Sequence, residues 1–281
     1  MANDKKRVHE NNLTLIRSLI TKHKRHDHIF AGVGMFVIIS LTITLLVLFL
    51  DLVFDGYPRF NLDFLTNFPS RRATAAGILS AWVGSALVLI VTFFAAVPLG
   101  IAAGVYLEEY AKKNWFSDLI EINVTNLAGV PSIIYGLLAL GLFVYSFGLG
   151  QTILTAGLTL ALLMLPIVIV ATREAIRAIP IHIREAAYAV GATKWQVSLH
   201  HVIQYSYGGI LTGVIIGMAR AIGETAPIIT IGALTFIAFL PPSPVGLEPP
   251  FINFEWLEAG FTVLPIQMFN WISRPQMAFH V

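Results

Sequence analysis

The sequence predicts an all-α membrane protein, a helical bundle with five visible spans, and three observations carry that prediction. Of 281 residues, 56% are apolar and 12% charged, too few charges to cover a water-facing surface of this size. Uncharged stretches long enough to cross a hydrocarbon core of about 30 Å recur along the chain. Lys and Arg gather in alternate connecting segments, as they do where a chain crosses a membrane repeatedly. A bundle in lipid uses this length as a single unit, so no division into soluble domains is expected.

Residues 29–50 hold no charge over 22 positions, and at about 1.5 Å per residue they reach across the bilayer core as the first transmembrane helix. Residues 1–28 before it are a basic tail (Lys5, Lys6, Arg7, Lys22, Lys24, Arg25) expected in the cytoplasm beside anionic lipid. A cleaved secretory signal is not expected, because the apolar run is long, follows a polar tail and lacks a small-residue cleavage site. Residues 51–77 read as an external loop. Further uncharged runs follow at 78–107, 127–147 and 151–172, the last two joined by Gly148-Leu149-Gly150 and therefore a hairpin. Residues 207–240 exceed one crossing and contain Arg220, Glu224 and Pro227, so a break is expected there. The Pro-rich stretch from Pro241 to Pro250 reads as an irregular external loop.

Charge sets the orientation. Segments 1–28, 108–126 and 173–206 carry thirteen of the eighteen Lys and Arg; 51–77, 148–150 and 241–281 carry four, and Arg220 is intramembrane. The N-terminus is expected inside. Five spans then leave the C-terminus outside, with no apolar run of about 20 residues after Leu240.

Within the inner loop 173–206, Pro180 suits the first turn of a helix, Gly191 the residue just past its end, and Thr193 the cap of a second helix from Lys194. Along the first helix Ile176, Ile179, Ile183, Ala187 and Val190 form an apolar stripe at helical spacing. Outside the bilayer such a stripe is expected to meet a protein partner or lie against the membrane surface.

Arg220 and Glu224, four apart, are expected on one helix face near mid-membrane, about 20 Å along from Tyr207. Charges there are costly and normally face a pathway or a partner. A planar guanidinium suits an oxyanion, and the carboxylate can accept the proton of a hydrogen phosphate. A structural ion pair between helices is the other reading.

Several functions are excluded. The chain has no cysteine, hence no thiolate metal site, and no Gly-Lys dipeptide, hence no P-loop. It has neither Gly-x-Ser-x-Gly nor His-Glu-x-x-His, and His200-His201 cannot share one helix face. No catalytic residue, metal, bound cofactor or nucleic-acid partner is expected. A secondary transporter would need an ion-coupling site, yet Glu224 is the only acidic residue within the spans. A membrane enzyme would need a nucleophile and base that are not visible.

Three segments carry a resemblance. Arg184-Glu185-Ala186-Ala187-Tyr188-Ala189-Val190-Gly191 is similar to the EAA-x-x-x-G loop of ABC importer permeases. That likeness implies docking to an ATPase through Glu185, Ala186, Ala187 and Gly191. Gln204 and Gly208 stand where that family usually has prolines. The segment from Ala219 to Ile228 resembles the A-R-A-x-G-E-T-A-P segment of phosphate permeases of the PstA type, and the segments 129–136 (GVPSIIYG) and 264–271 (LPIQMFNW) are similar to that family too.

The resemblance, from near residue 75 onward, implies the bundle of a type I ABC importer permease (MetI-like) over residues 78–281. It implies a substrate path at Arg220, Glu224 and Thr225, and a bacterial inner-membrane location. The implied partners are a homologous PstC-type permease, an ABC ATPase dimer that binds the ATP, and an extracytoplasmic phosphate-binding protein. Phosphate is the implied substrate; the alternatives are an ABC permease for another oxyanion such as sulfate, or a secondary transporter. That family has six spans, so the likeness also implies that a last helix, expected just after Phe279, is absent from this sequence.

Overall fold

A computed structural model describes residues 2–112, 114–234, 237–245 and 251–275, with residues 2–23, 25 and 26 described by their backbone only. The chain forms two units, residues 1–60 and the remainder from Asn61. The first is helix α1, Ala2–Gly56, which runs without interruption through both the basic segment and the first apolar run. Within Asp27–Arg59 none of the apolar window is buried.

The second unit is a bundle around one central helix. Helix α2 (Leu79–Tyr110) and helix α5 (Ile153–Arg177) are apolar and long enough to cross a membrane, as is helix α7 (Lys194–Gly223). Of the apolar window of α5, 67% is buried, against 39% for α2 and 33% for α7, which places α5 in the middle. Small residues let α2 lie close to it: Gly100 sits against Val168 and Gly104 against Thr172, where a side chain would hold the backbones apart. Helix α5 begins at the Thr152 cap, whose Oγ1 accepts the Thr155 N–H at 3.3 Å.

The apolar run 127–147 is not one straight helix: with the segment before it, it forms a bent pair that makes a fifth crossing only as a broken span. Helix α3 (Trp115–Leu127) and helix α4 (Ser132–Ser146) meet at a bend of 104°. At about 1.5 Å per residue the 15 residues of α4 cover only about 22 Å, less than the bilayer core. Pro131 removes an N–H and restricts Val130, which ends α3 before α4 can start. The hairpin expected after it is present: Gly148 and Gly150 take positive φ, and Ala139 and Phe143 of α4 pack with Ile153 and Ala156 of α5.

The 173–206 loop is also shorter than expected. Helix α5 runs on to Arg177, and the second of the two expected short helices is the start of α7, a continuous helix of 30 residues. Only helix α6 (Ile181–Ala189) and its flanks connect them. Thr193 caps α7 in a capping box, accepting from Gln196 N while Gln196 Oε1 accepts from Thr193 N at 2.9 Å. The apolar stripe needs no external partner over most of its length. Ile176, Ile179 and Ala187 are buried against Val197 and Val202 of the same chain, with Ile183 packed beside them; Val190 alone is fully exposed.

The break expected in 207–240 falls at Glu224, whose extended backbone (ψ 120°) ends α7. Helix α8 (Ala226–Thr230) follows, then largely irregular chain. Among the described residues after Leu240 the sequence did not announce helix α9 (Leu264–Ile272), whose first N–H donates to Ser85 Oγ on α2 at 2.9 Å. Residues 246–250 of the Pro-rich loop and the position of a helix after Phe279 lie outside the described residues.

Candidate functional site

Two interrupted helices build the first site. The helices that follow the two breaks, α4 and α8, cross at Gly136. A Cβ there would fall on Thr230 Oγ1 and lie 2.6 Å from Pro227 Cα. Tyr135, buried beside it, spans the first break by donating its hydroxyl to the Leu127 carbonyl at 2.8 Å. That bond satisfies an acceptor left without an intrahelical partner at the end of α3.

Arg220 lies in the last turn of α7 and Glu224 ends that helix four residues on, so the two share one face as expected although the backbone turns extended at Glu224. They meet: Arg220 Nε donates to Glu224 Oε1 at 3.1 Å. Because α7 starts at Lys194, Arg220 is about 39 Å along the whole helix, while still about 20 Å on from Tyr207 as expected. The arginine side chain is 42% exposed and the glutamate 16%. Among the described residues both terminal nitrogens of Arg220 are uncommitted. A fork with two free donors can bind an oxyanion, which a saturated one cannot. Thr225 caps α8 without a side-chain bond and is partly exposed beside the pair. The close approach of Gly136 to Pro227, three residues after Glu224, brings the two breaks together.

The second site is the end of the bundle where α2 and α5 finish and α7 begins. Helix α6 lies across it and presents Glu185, Ala186 and Gly191 outward, together with Ile181 and Tyr188. Ala187 points the other way and is buried, so it supports α6 rather than joining its outer face. Gly191 has φ +88°, a left-handed turn that only glycine adopts without strain, and it reverses the chain between α6 and α7.

Beneath α6 is a charge network that sequence reasoning missed. Arg173 Nη2 lies 3.4 Å from Glu108 and 2.8 Å from Glu121, and Arg177 Nη2 lies 3.1 Å from Glu108. Arg184 pairs with Glu109 at 2.8 Å. Glu108 and Glu109 sit in the last turn of α2, which widens so that Ala111 N reaches the Tyr106 carbonyl five residues back, at 2.8 Å. The signal was present as two consecutive glutamates closing an apolar run, opposite arginines at 173, 177 and 184.

A family model for binding-protein-dependent transport system inner membrane components matches residues 96–245, just over half of the chain and the part that holds both sites. The chain belongs to that family. It is 32% identical over 226 residues to the probable ABC transporter permease protein YqgI of Bacillus subtilis, covering 79% of this chain and 72% of that one. It is 35% identical over 204 residues to the phosphate transport system permease protein PstA of Mycobacterium leprae, covering 73% and 62%. With PstA of Haemophilus influenzae it is 30% identical over 244 residues, covering 85% and 84%. As an inner-membrane transport component this permease is a multi-pass helical protein.

Proposed function

We propose that the chain is the permease subunit of an ATP-driven phosphate importer, forming one half of the transmembrane path beside a homologous PstC-type subunit. The observation that carries this reading is the Arg220–Glu224 pair at the crossing of α4 and α8. There the two segments that resemble PstA sequences, 129–136 and 219–228, meet at Gly136 and Pro227, and the second carries an arginine with free donors. The relatives from M. leprae and H. influenzae bear the name of phosphate permeases. Arg220 attracts the anion, Glu224 accepts the proton of hydrogen phosphate, and Thr225 lines the path beside them.

In the same reading the α6 end of the bundle faces the cytoplasm, as the basic segments favour. Glu185, Ala186 and Gly191 dock to an ABC ATPase dimer, which binds the ATP this chain has no P-loop to hold. An extracytoplasmic binding protein delivers phosphate, and closure of the ATPases turns the path from inward-facing to outward-facing. Labelled phosphate transport by the reconstituted complex, competed by sulfate, tests the reading. Equal transport of sulfate refutes phosphate as the substrate and leaves a general oxyanion permease.

A further inference from the structure

Arg184 of α6 makes four hydrogen bonds to two different helix ends. Its Nε and Nη2 donate to Glu109 Oε1 at 3.0 and 2.8 Å. Nη2 also donates to the Ile176 carbonyl and Nη1 to the Ile179 carbonyl, each at 3.0 Å. Glu109 closes α2; the two carbonyls belong to the end of α5 and the turn beyond it, where a helix leaves acceptors without intrahelical donors. Both side chains are largely covered, 15% exposed for Arg184 and 7% for Glu109. The adjacent Glu108 is held by Arg173 and Arg177 of α5, so one turn of α2 grips α5 and α6 through successive residues.

Stability alone does not account for this arrangement. The cost of desolvating a covered ion pair offsets much of its Coulombic gain, and an apolar pair of equal volume often does as well. What a planar guanidinium with every nitrogen engaged supplies is fixed geometry. The apolar contacts of Ile183 and Ala187 hold α6 against the bundle but permit it to slide and roll. The Arg184 fork permits neither.

We propose that Arg184 is a positioning residue that locks α6 to the ends of α2 and α5 as one rigid body, so that displacement of α6 is passed into those two spans instead of being absorbed in the loop. The proposal deepens the reading of α6 as the ATPase-docking helix and rests on it.

The test uses the whole importer, purified with its partner subunits and reconstituted in vesicles, carrying Arg184→Lys or Glu109→Gln. The expected result is that the ATPase still co-purifies and hydrolyses ATP, while phosphate moved per ATP falls roughly tenfold, within the range by which contacts along a route alter coupling between sites. The double exchange of Arg184→Glu with Glu109→Arg restores part of that ratio. A ratio unchanged in both single variants overturns the proposal while leaving docking intact. Docking itself is judged separately by Ala186→Asp, which releases the ATPase if α6 is the docking helix; retention of the ATPase there refutes the underlying reading.

A second measurement does not depend on the variants folding. The chain has no cysteine, so one pair can be introduced cleanly at the exposed His182 on α6 and Tyr106 on α2 and spin-labelled. With the parent Arg184 in place, the interlabel distance stays constant when ATP binds, because both helices move together. A distance that changes on ATP binding refutes the rigid body.

Discussion

Replacing Gly136 by alanine tests whether the crossing of α4 and α8 sets the geometry of the path. The added Cβ would fall on Thr230 Oγ1 and lie 2.6 Å from Pro227 Cα and 2.8 Å from Pro227 O. A threonine hydroxyl can rotate away; proline backbone cannot. Ordinary contact begins near 3.4 Å, so α8 must retreat by about 0.8 Å. Overpacking of this kind costs about 1–3 kcal/mol, a fraction of the roughly 5–15 kcal/mol typical of a folded domain, and the subunit should still insert. Pro227 lies three residues from Glu224, so its retreat carries the carboxylate away from Arg220. Misplacement by about 1 Å can cost up to about 10²-fold at a reacting site, and labelled phosphate uptake per inserted subunit should fall at least tenfold on that scale. Thr230→Ala on top of Gly136→Ala relieves the hydroxyl contact but not the Pro227 contacts, and should recover only part of the rate. Gly136→Ala with the parental uptake rate would show that the crossing does not control the path.

Three further outcomes are expected. Arg220→Lys keeps the charge but loses the fork, so uptake should drop strongly with the protein still in the membrane, and Glu224→Gln should weaken discrimination against sulfate; parental phosphate transport by Arg220→Lys would make the pair structural. Ala186→Asp should release the ATPase without loss of folding, whereas Ala187→Asp, whose site is buried, should destabilise the subunit by several kcal/mol through an unpaired buried charge; equal thermal stability of the two variants would contradict the inward orientation of Ala187. A cysteine at the exposed Ser243 should react with an impermeant thiol reagent in intact cells and one at Ser18 should not, and the reverse pattern would invert the topology.

How much was legible in the sequence depended on range. Local signals read correctly: Thr193 capped α7, Gly191 took the left-handed turn, and the Gly148-Leu149-Gly150 turn closed the hairpin. Absence of charge marked the spans because lipid demands it, but it could not show where a span is interrupted. Pro131 sits inside an uncharged run, and only the partners available across space decide whether a proline kinks a helix or ends it. The stripe from Ile176 to Val190 had the same weakness: helical period shows that a face is covered, and the structure shows that Val197 and Val202 cover most of it. The Glu108 and Glu109 network joins positions more than sixty residues apart, beyond any spacing rule.

Both charged clusters of the bundle contain arginine, yet only one is suited to an anion. At the α6 end, Arg173, Arg177 and Arg184 face Glu108, Glu109, Glu121 and Glu174, four carboxylates to three guanidiniums. Within that network carboxylates outnumber guanidiniums, and Arg184 has every nitrogen engaged. A phosphate arriving at that end would have to displace carboxylates already held at about hydrogen-bond distance, losing as much charge-assisted bonding as it gained. At the break after α7, one arginine meets one carboxylate through a single nitrogen, and its remaining donors are free among the described residues. Binding a hydrogen phosphate there adds bonds without breaking the existing one, since the phosphate hydroxyl can donate to Glu224 while its oxygens accept from Arg220. The same arithmetic requires that release be aided: once the anion leaves, Glu224 is the counter-ion that keeps Arg220 from standing uncompensated, so removing the carboxylate should slow release of the anion rather than weaken its capture.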